Sequence, residues 1–207
     1  DRALRRFAQA YETLERLIAR APGEAGPYEM RANWLVDQTG STEAAREVLA
    51  NAKTADPMIN SWLTLEYLDR NFAEALELSE ELPTKDAIEV IVASYWQGSI
   101  LRALGRNQEA EASLESAARQ LEALIASRPD AYHDLLAFIY AELGRESDAI
   151  REARRAASGE IEADRFTGPT MEENFSWILA INVEHEEAIE IFDRLFETSY
   201  YSAVNKG

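Results

Sequence analysis

The chain repeats one short spacing of small and apolar residues. In the stretch 102–118 a glycine, Gly105, precedes Ala110, and apolar residues follow that alanine at helical spacing. Similar stretches recur, some with a glycine and some without, and their anchoring alanines are Ala10, Ala45, Ala75, Ala110, Ala149 and Ala188. Consecutive anchors lie 30 to 39 residues apart, which is the spacing of repeats made of two helices. The pattern therefore predicts an array of helical hairpins.

The residues within one repeat explain how the chain reverses direction. A glycine such as Gly105 or Gly144 permits a tight turn, and the alanine after it lets two helix backbones approach closely. The second helix ends near a proline such as Pro57, which cannot continue it. We therefore expect an all-α protein, an α-solenoid of about five helix-turn-helix hairpins preceded by an opening helix. The helix after Gly105 is predicted to continue to about Ser127.

These elements are predicted to form a single domain over residues 1–207. Because the first residue is an aspartate and not methionine, we expect the chain to be a piece of a longer protein. The opening helix is expected to lack a partner helix within this piece. The opening helix covers 1–22, and the hairpins cover 27–57, 58–83, 87–128, 130–158 and 169–198.

The charge of the chain disfavours several classes of partner. With 38 acidic and 21 basic residues the formal net charge is −17, so the average surface repels nucleic-acid phosphates and anionic lipid headgroups. No apolar run approaches the roughly 18 residues of a membrane span. We expect no binding to nucleic acid and no membrane insertion by this segment. The expected location is cytoplasmic, and the alternatives are the periplasm or a membrane tether through a preceding part of the protein.

Residues that could carry chemistry do not form a recognisable site. The chain has no cysteine, and His133 and His185 are far apart without a metal-ligand spacing. Acidic pairs such as Glu172 with Glu173 are typical of a solvated helix face. The glycines stand singly at turns and form no phosphate-binding loop. The sequence predicts no catalytic, cofactor-binding or metal-binding residue, no cofactor and no enzymatic activity.

Two stretches carry a resemblance to a known repeat family. The segments "RANWLVDQTGSTEAAREVLANAKTADP" and "LIASRPDAYHDLLAFIYAELGRESDAIREARRAA" resemble the tetratricopeptide repeat, a helix-turn-helix unit with small and aromatic residues at set places and a closing proline. The resemblance covers nearly the whole chain. It implies a right-handed superhelix in which the first helix of each hairpin lines the concave side.

The last hairpin carries a narrower resemblance. The stretch "GPTMEENFSWILAINVEHEEAIEIFDRLFETSYYS" is similar to the closing hairpin of repeat regions on the C-terminal side of bacterial signalling proteins. In such proteins an output domain precedes the repeats, for example a nucleotide cyclase, a winged-helix regulator or a kinase. This resemblance implies a regulatory arm and brings no catalytic residue into the chain.

The first helices define a candidate binding surface, which we call the first-helix face. Large aromatic rings and arginines on such a surface are typical of protein or peptide recognition, although the same rings could instead pack between adjacent hairpins. We expect a protein- or peptide-binding scaffold; the alternatives are a self-associating module that forms a homodimer and a small-molecule sensor. The predicted residues of the first-helix face are Met30, Arg31, Trp34, Thr64, Tyr67, Tyr95, Trp96, Arg102, Asp134, Phe138, Asn174 and Trp177.

Overall fold

A computed structural model of the protein describes residues 2–129, 131–163, 168–182 and 184–197, with side chains from residue 11 onward except for 159–163. Over these residues the chain forms eleven α-helices and no strand, which confirms the predicted all-α fold class. The helices are α1 (Arg2–Arg20), α2 (Gly26–Thr39), α3 (Glu43–Ala50), α4 (Ile59–Leu68), α5 (Phe72–Glu80), α6 (Ala87–Ala103), α7 (Asn107–Ser127), α8 (His133–Glu142), α9 (Glu146–Ala163), α10 (Gly168–Ile181) and α11 (His185–Phe196).

The helices pack as consecutive hairpins within two compact units, one ending at Leu82 and the other beginning at Pro83. In the N-terminal unit α2 pairs with α3 and α4 with α5, and α1 lies against α2. In the C-terminal unit α6 pairs with α7, α8 with α9 and α10 with α11, and each hairpin also contacts the next. This stacking of neighbours is the packing of an α-solenoid. The assignment of residues 1–207 to one domain stays a prediction, and two of its hairpin boundaries, 130 and 198, lie outside the described residues.

Three of the turns between paired helices, those at Arg70, Gly105 and Gly144, share one backbone geometry. Gly105 and Gly144 have φ values of 75° and 70°, a left-handed conformation that favours glycine, and Arg70 occupies the equivalent place with φ of 62°. The amide after this residue donates to a carbonyl five residues earlier, as from Arg106 to Leu101 at 2.9 Å. The copy that begins at Arg70 therefore keeps the turn although it has lost the glycine.

The anchoring alanines lie where paired helices touch. Every anchor whose side chain is described is at most 2% exposed: Ala45, Ala75, Ala110, Ala149 and Ala188. Each unit builds its own apolar core around them. Tyr28 and Leu65 belong to the core of the N-terminal unit, and Ile91, Leu121 and Ile178 to that of the C-terminal unit. The helix after Gly105 ends at Ser127, as the sequence predicts.

Among the described helices, none combines the length with the apolar character that a bilayer span requires.

Candidate functional site

In the N-terminal unit the first-helix face combines an exposed side chain with an engaged arginine. Met30 on α2 is 49% exposed. Arg31 places Nη1 3.0 Å from Glu15 Oε1 on α1, and its guanidinium lies 5.7 Å from the centroid of the Tyr11 ring. The half-buried Trp34 has a buried indole Nε1 that meets no acceptor among the described residues. The Arg31 guanidinium therefore joins α2 to α1 and is already paired within the chain.

On α4 the two predicted residues make local contacts. The Thr64 hydroxyl donates to the Asn60 carbonyl at 2.8 Å, which is a bond within the helix. The Tyr67 ring meets Phe72 edge to face at 5.5 Å, with Phe72 at the start of α5. Both side chains remain partly exposed despite these contacts.

On α6 the second predicted arginine is also paired within the chain. Arg102 donates through Nη1 to the Glu142 carbonyl, and its Nε lies 3.6 Å from Glu142 Oε2. Ser99 donates to the same carboxylate at 3.2 Å. The rings of Tyr95 and Trp96 are tilted against each other at 6.3 Å and are partly exposed. Arg102 thus ties the end of α6 to the end of α8.

Three residues of the first-helix face meet in one place. Asp134 and Phe138 on α8 and Asn174 on α10 line a single narrow cleft, which Ala153 of α9 and Phe175 of α10 help to close. The three are half-buried. The cleft is too narrow to admit a water molecule, so the carboxylate, the aromatic ring and the carboxamide are accessible only along its outer rim.

Trp177, the last predicted residue of this face, belongs to a different cluster. Its side chain is 44% exposed and its ring lies 5.6 Å from that of Phe192 on α11, edge to face. Phe192 in turn stacks on Phe196 at 6.4 Å. The structure therefore places Trp177 beside the aromatic side chains of the last helix.

Sequence reasoning missed a groove in the N-terminal unit. It has a volume of ≈ 610 Å³, within the size range of ligand pockets, and lies between the end of α1, α2 and α3. Its apolar lining comes from residues such as Ile18 and Val48, and its charged lining from Arg31, Glu47 and Lys53. The helical period predicts which of these residues lie on the same side of a helix. The groove itself exists because α1 and α3 are separated, which the period does not predict.

A second groove, of ≈ 350 Å³, lies between α9, α10 and α11. Arg194 places Nη1 3.0 Å from both carboxylate oxygens of Glu172, and Arg154 places Nη2 3.3 Å from Glu187. Glu172 and Glu173 are only 8% and 4% exposed, so the expectation of a solvated face for this pair is wrong. Glu172 tolerates burial because Arg194 neutralises it across the hairpin.

His133 is a structural residue. The ring is 4% exposed, with Nδ1 2.8 Å from Glu152 Oε2 and Nε2 2.7 Å from the Pro129 carbonyl. Arg151 contacts the other oxygen of Glu152 at 3.0 Å. His185 is exposed. Across the described side chains no group of three or more histidine and carboxylate ligands comes together as a metal site.

An ion-pair cluster joins the two hairpins of the N-terminal unit. Arg46 on α3 contacts Glu66 at 2.6 Å and Asp69 at 2.7 Å. The hydrogen bond from Arg46 lowers the pKa of Glu66 below its ordinary value. The pKa of Asp69 is lowered by its hydrogen bond from the Thr42 hydroxyl and then by that from Arg46.

A second perturbed group lies in the C-terminal unit. Tyr140 is almost fully buried, and its hydroxyl donates to Glu122 Oε1 at 2.6 Å. Burial, followed by this hydrogen bond, raises the pKa of Tyr140 above its ordinary value. The guanidinium of Arg145 lies 3.9 Å from the centroid of its ring. These contacts join α7 to α8 and point to stability, not to proton transfer.

Comparison with known proteins identifies the repeat. Residues 92–119, which span most of α6 and the first half of α7, match the family model of the tetratricopeptide repeat. This segment is similar to one tetratricopeptide repeat. In that repeat Gly105 forms the turn and Ala110 is the buried anchor. Tetratricopeptide repeats generally mediate protein–protein interaction and are typically non-catalytic scaffolds.

Two solved structures of similar repeats share little sequence with this chain. The TPR-like repeats of a Podosopora anserina protein described as a putative kinesin light chain share 18% identity with this chain, covering 81% of it and 91% of that chain with a TM-score of 0.43. A single-substitution variant of the same repeats covers 84% of this chain and 94% of that chain, again at 18% identity, with a TM-score of 0.45. No curated protein sequence matches the chain.

Proposed function

We propose that this chain is a non-enzymatic, cytoplasmic scaffold that binds a protein or peptide through its first-helix face, and that it serves as the regulatory arm of a larger bacterial signalling protein. The general role of the tetratricopeptide repeat supports the first part. The similarity of the last hairpin to repeat regions of bacterial signalling proteins supports the second.

The cleft between α8 and α10 is the observation that carries the binding proposal. Asp134, Phe138 and Asn174 come from two first helices of consecutive hairpins and lie together along this cleft, which is itself too narrow to admit a ligand. A ligand that lies over the cleft can pack an apolar side chain on the outer, exposed part of the Phe138 ring while the Asn174 carboxamide pairs with a peptide group. Because packed helices hold these residues, binding costs little ordering of the receptor.

The charges of the face limit the partner further. Arg31 and Arg102 are engaged with Glu15 and Glu142, so they offer no free cation to an acidic ligand. Asp134 contributes a carboxylate to the cleft, and the chain as a whole carries a net charge of −17. The ligand that best complements this site is a neutral or basic segment with one apolar anchor.

A peptide selection tests the proposal. A displayed library of random peptides is selected on the full chain, and recovered peptides are titrated by fluorescence anisotropy against the wild type, Phe138→Ala and Asn174→Ala. We expect Kd to rise about tenfold or more for each variant, the loss typical of an anchoring contact. Glu111→Ala, at an exposed position on α7, is the control and should leave Kd unchanged.

Two results would count against this function. Recovered peptides that bind both cleft variants as tightly as the wild type would place the binding surface elsewhere. Selection of no peptide at micromolar affinity, from a library that succeeds on another repeat protein, would contradict peptide recognition by this face.

A further inference from the structure

The last hairpin exposes an apolar face that the preceding hairpins bury. Aligning Ala149 with Ala188 pairs Phe138 with Trp177, Ala153 with Phe192 and Ala157 with Phe196. Ala153 and Ala157 are 3% and 4% exposed, because α10 packs over them with Phe175. Phe196 is instead 61% exposed. Among the described residues no helix packs over Phe196 as α10 packs over Ala157.

Three apolar side chains on α11, two of them exposed and Phe192 half-buried, form a continuous stripe. Ile189, Phe192 and Phe196 are separated by three and four residues, so they lie on one side of the helix. Ile189 is 58% exposed. Trp177 and the 58% exposed Ile181, one turn apart on α10, continue the stripe across the hairpin. We call these five residues the end face.

The charges beside the end face all have one sign. Glu186, Asp193 and Glu197 are exposed and follow the outer edge of the stripe on α11 at helical spacing. The basic residue of this helix, Arg194, points to the opposite edge, where it pairs with Glu172. A ligand that covers the stripe therefore meets three carboxylates along one side.

From this geometry we propose that the end face binds an amphipathic helix of a partner protein whose apolar side is flanked by lysine or arginine. The stripe is placed where a helix packs on each of the two preceding hairpins of the C-terminal unit, and the acidic edge complements basic flanks. A second copy joined face to face would bring the two acidic edges together, which opposes that arrangement. The size of Phe196, where the preceding hairpin has Ala157, favours a partner helix with small residues at its centre.

The end face is distinct from the cleft of the proposed function. The cleft residues Asp134, Phe138 and Asn174 lie between α8 and α10, whereas Phe196 and Ile189 lie on α11. Trp177 is the one residue of the end face that was also predicted for the first-helix face. Its ring contact with Phe192 places it in the end face. Substitutions at Phe196 and Phe138 therefore separate the two surfaces.

The test uses two designed helical peptides with the same apolar stripe, which has alanine at its centre and leucine at its ends; one peptide is flanked by lysines and the other by glutamates. Each is titrated against the full chain, Phe196→Asp and the control Leu68→Asp by isothermal calorimetry. Leu68 is 51% exposed on α4, so the control makes the same substitution away from the end face. We expect the lysine peptide to bind the wild type. Its Kd should rise at least tenfold with Phe196→Asp and less than twofold with Leu68→Asp. The glutamate peptide should not bind.

Four outcomes would overturn the inference. If Phe196→Asp and Leu68→Asp weaken binding of the lysine peptide equally, the peptide responds to the net charge of the chain and not to the end face. No binding to the wild type would mean that the face takes no such helix. A dimer in light scattering that Phe196→Asp dissociates would assign the face to a second copy. If replacing Tyr200 and Tyr201 by serine makes the lysine peptide bind tenfold more tightly, the end face would be assigned to the segment 198–207.

Discussion

Gly98 on α6 and Leu114 on α7 meet where these two helices cross. A Cβ atom on Gly98 would stand 2.5 Å from Leu114 Cγ and 3.3 Å from the Ala110 carbonyl oxygen. Leu114 and Ala110 are fully buried, so neither can move aside without disturbing the core. The absence of a side chain at position 98 is therefore what allows the hairpin of the matched repeat to close.

Gly98→Ala should destabilise the C-terminal unit. Although alanine is the better helix former, the added methyl group overlaps Leu114, and overpacking of this kind costs about 1–3 kcal/mol. Urea unfolding followed by tryptophan fluorescence measures the change. Gly26→Ala is the matched control, because a Cβ atom on Gly26, at the start of α2, would meet no atom within 4 Å, and it should be neutral. Equal stability of both variants would contradict the steric account of this crossing.

Arg70→Gly should stabilise the N-terminal unit. Arg70 has φ of 62°, a conformation that costs an L-residue about 1–2 kcal/mol and that glycine adopts freely. The gain should be about 1 kcal/mol in the free energy of unfolding. Gly105→Ala makes the opposite change at the equivalent turn and should cost a similar amount. A stabilising effect of both substitutions would show that turn strain does not control either.

His133→Leu should destabilise the C-terminal unit by about 3 kcal/mol, because it removes one partner of the buried Glu152 carboxylate. A double variant with Glu152→Leu should recover part of this loss, since it also removes the buried carboxylate that has lost its histidine partner. Thermal unfolding of the four proteins of this cycle gives the coupling energy. The exposed His185 provides the control, and His185→Leu should change stability by less than about 0.5 kcal/mol. Strictly additive single losses would contradict the pairing.

Arg46→Gln should reduce the dependence of stability on pH. Because the pKa values of Glu66 and Asp69 are lowered in the folded state, the cluster stabilises the protein above the ordinary carboxyl range and loses this effect as the pH falls through the lowered values. The variant should be about 1 kcal/mol less stable than the wild type at pH 7, with little difference near pH 3. Urea unfolding at both pH values measures this. Arg119→Gln, which alters an exposed pair at 3.9 Å, should show no such change.

The repeat in the sequence was enough to predict much of the fold. The step from a glycine to an alanine located the turn at Gly105 and the buried anchor Ala110, and the copy at Arg70 marked an equivalent turn without glycine. Helical period also predicted the end of α7 at Ser127. These features depend on residues close together in the chain, so a single sequence contains the information that determines them.

The surfaces depended on contacts between residues far apart in the chain. Arg102 was predicted to face a ligand, yet it binds Glu142, because α6 and α8 end side by side. Trp177 joins Phe192 and not the cleft that Phe138 lines. The sequence by itself determined where the helices begin, turn and touch their own partners, since periodicity and turn chemistry act locally. Only the tertiary structure decided which side chains remain exposed, because exposure is set by whichever helix packs over a position.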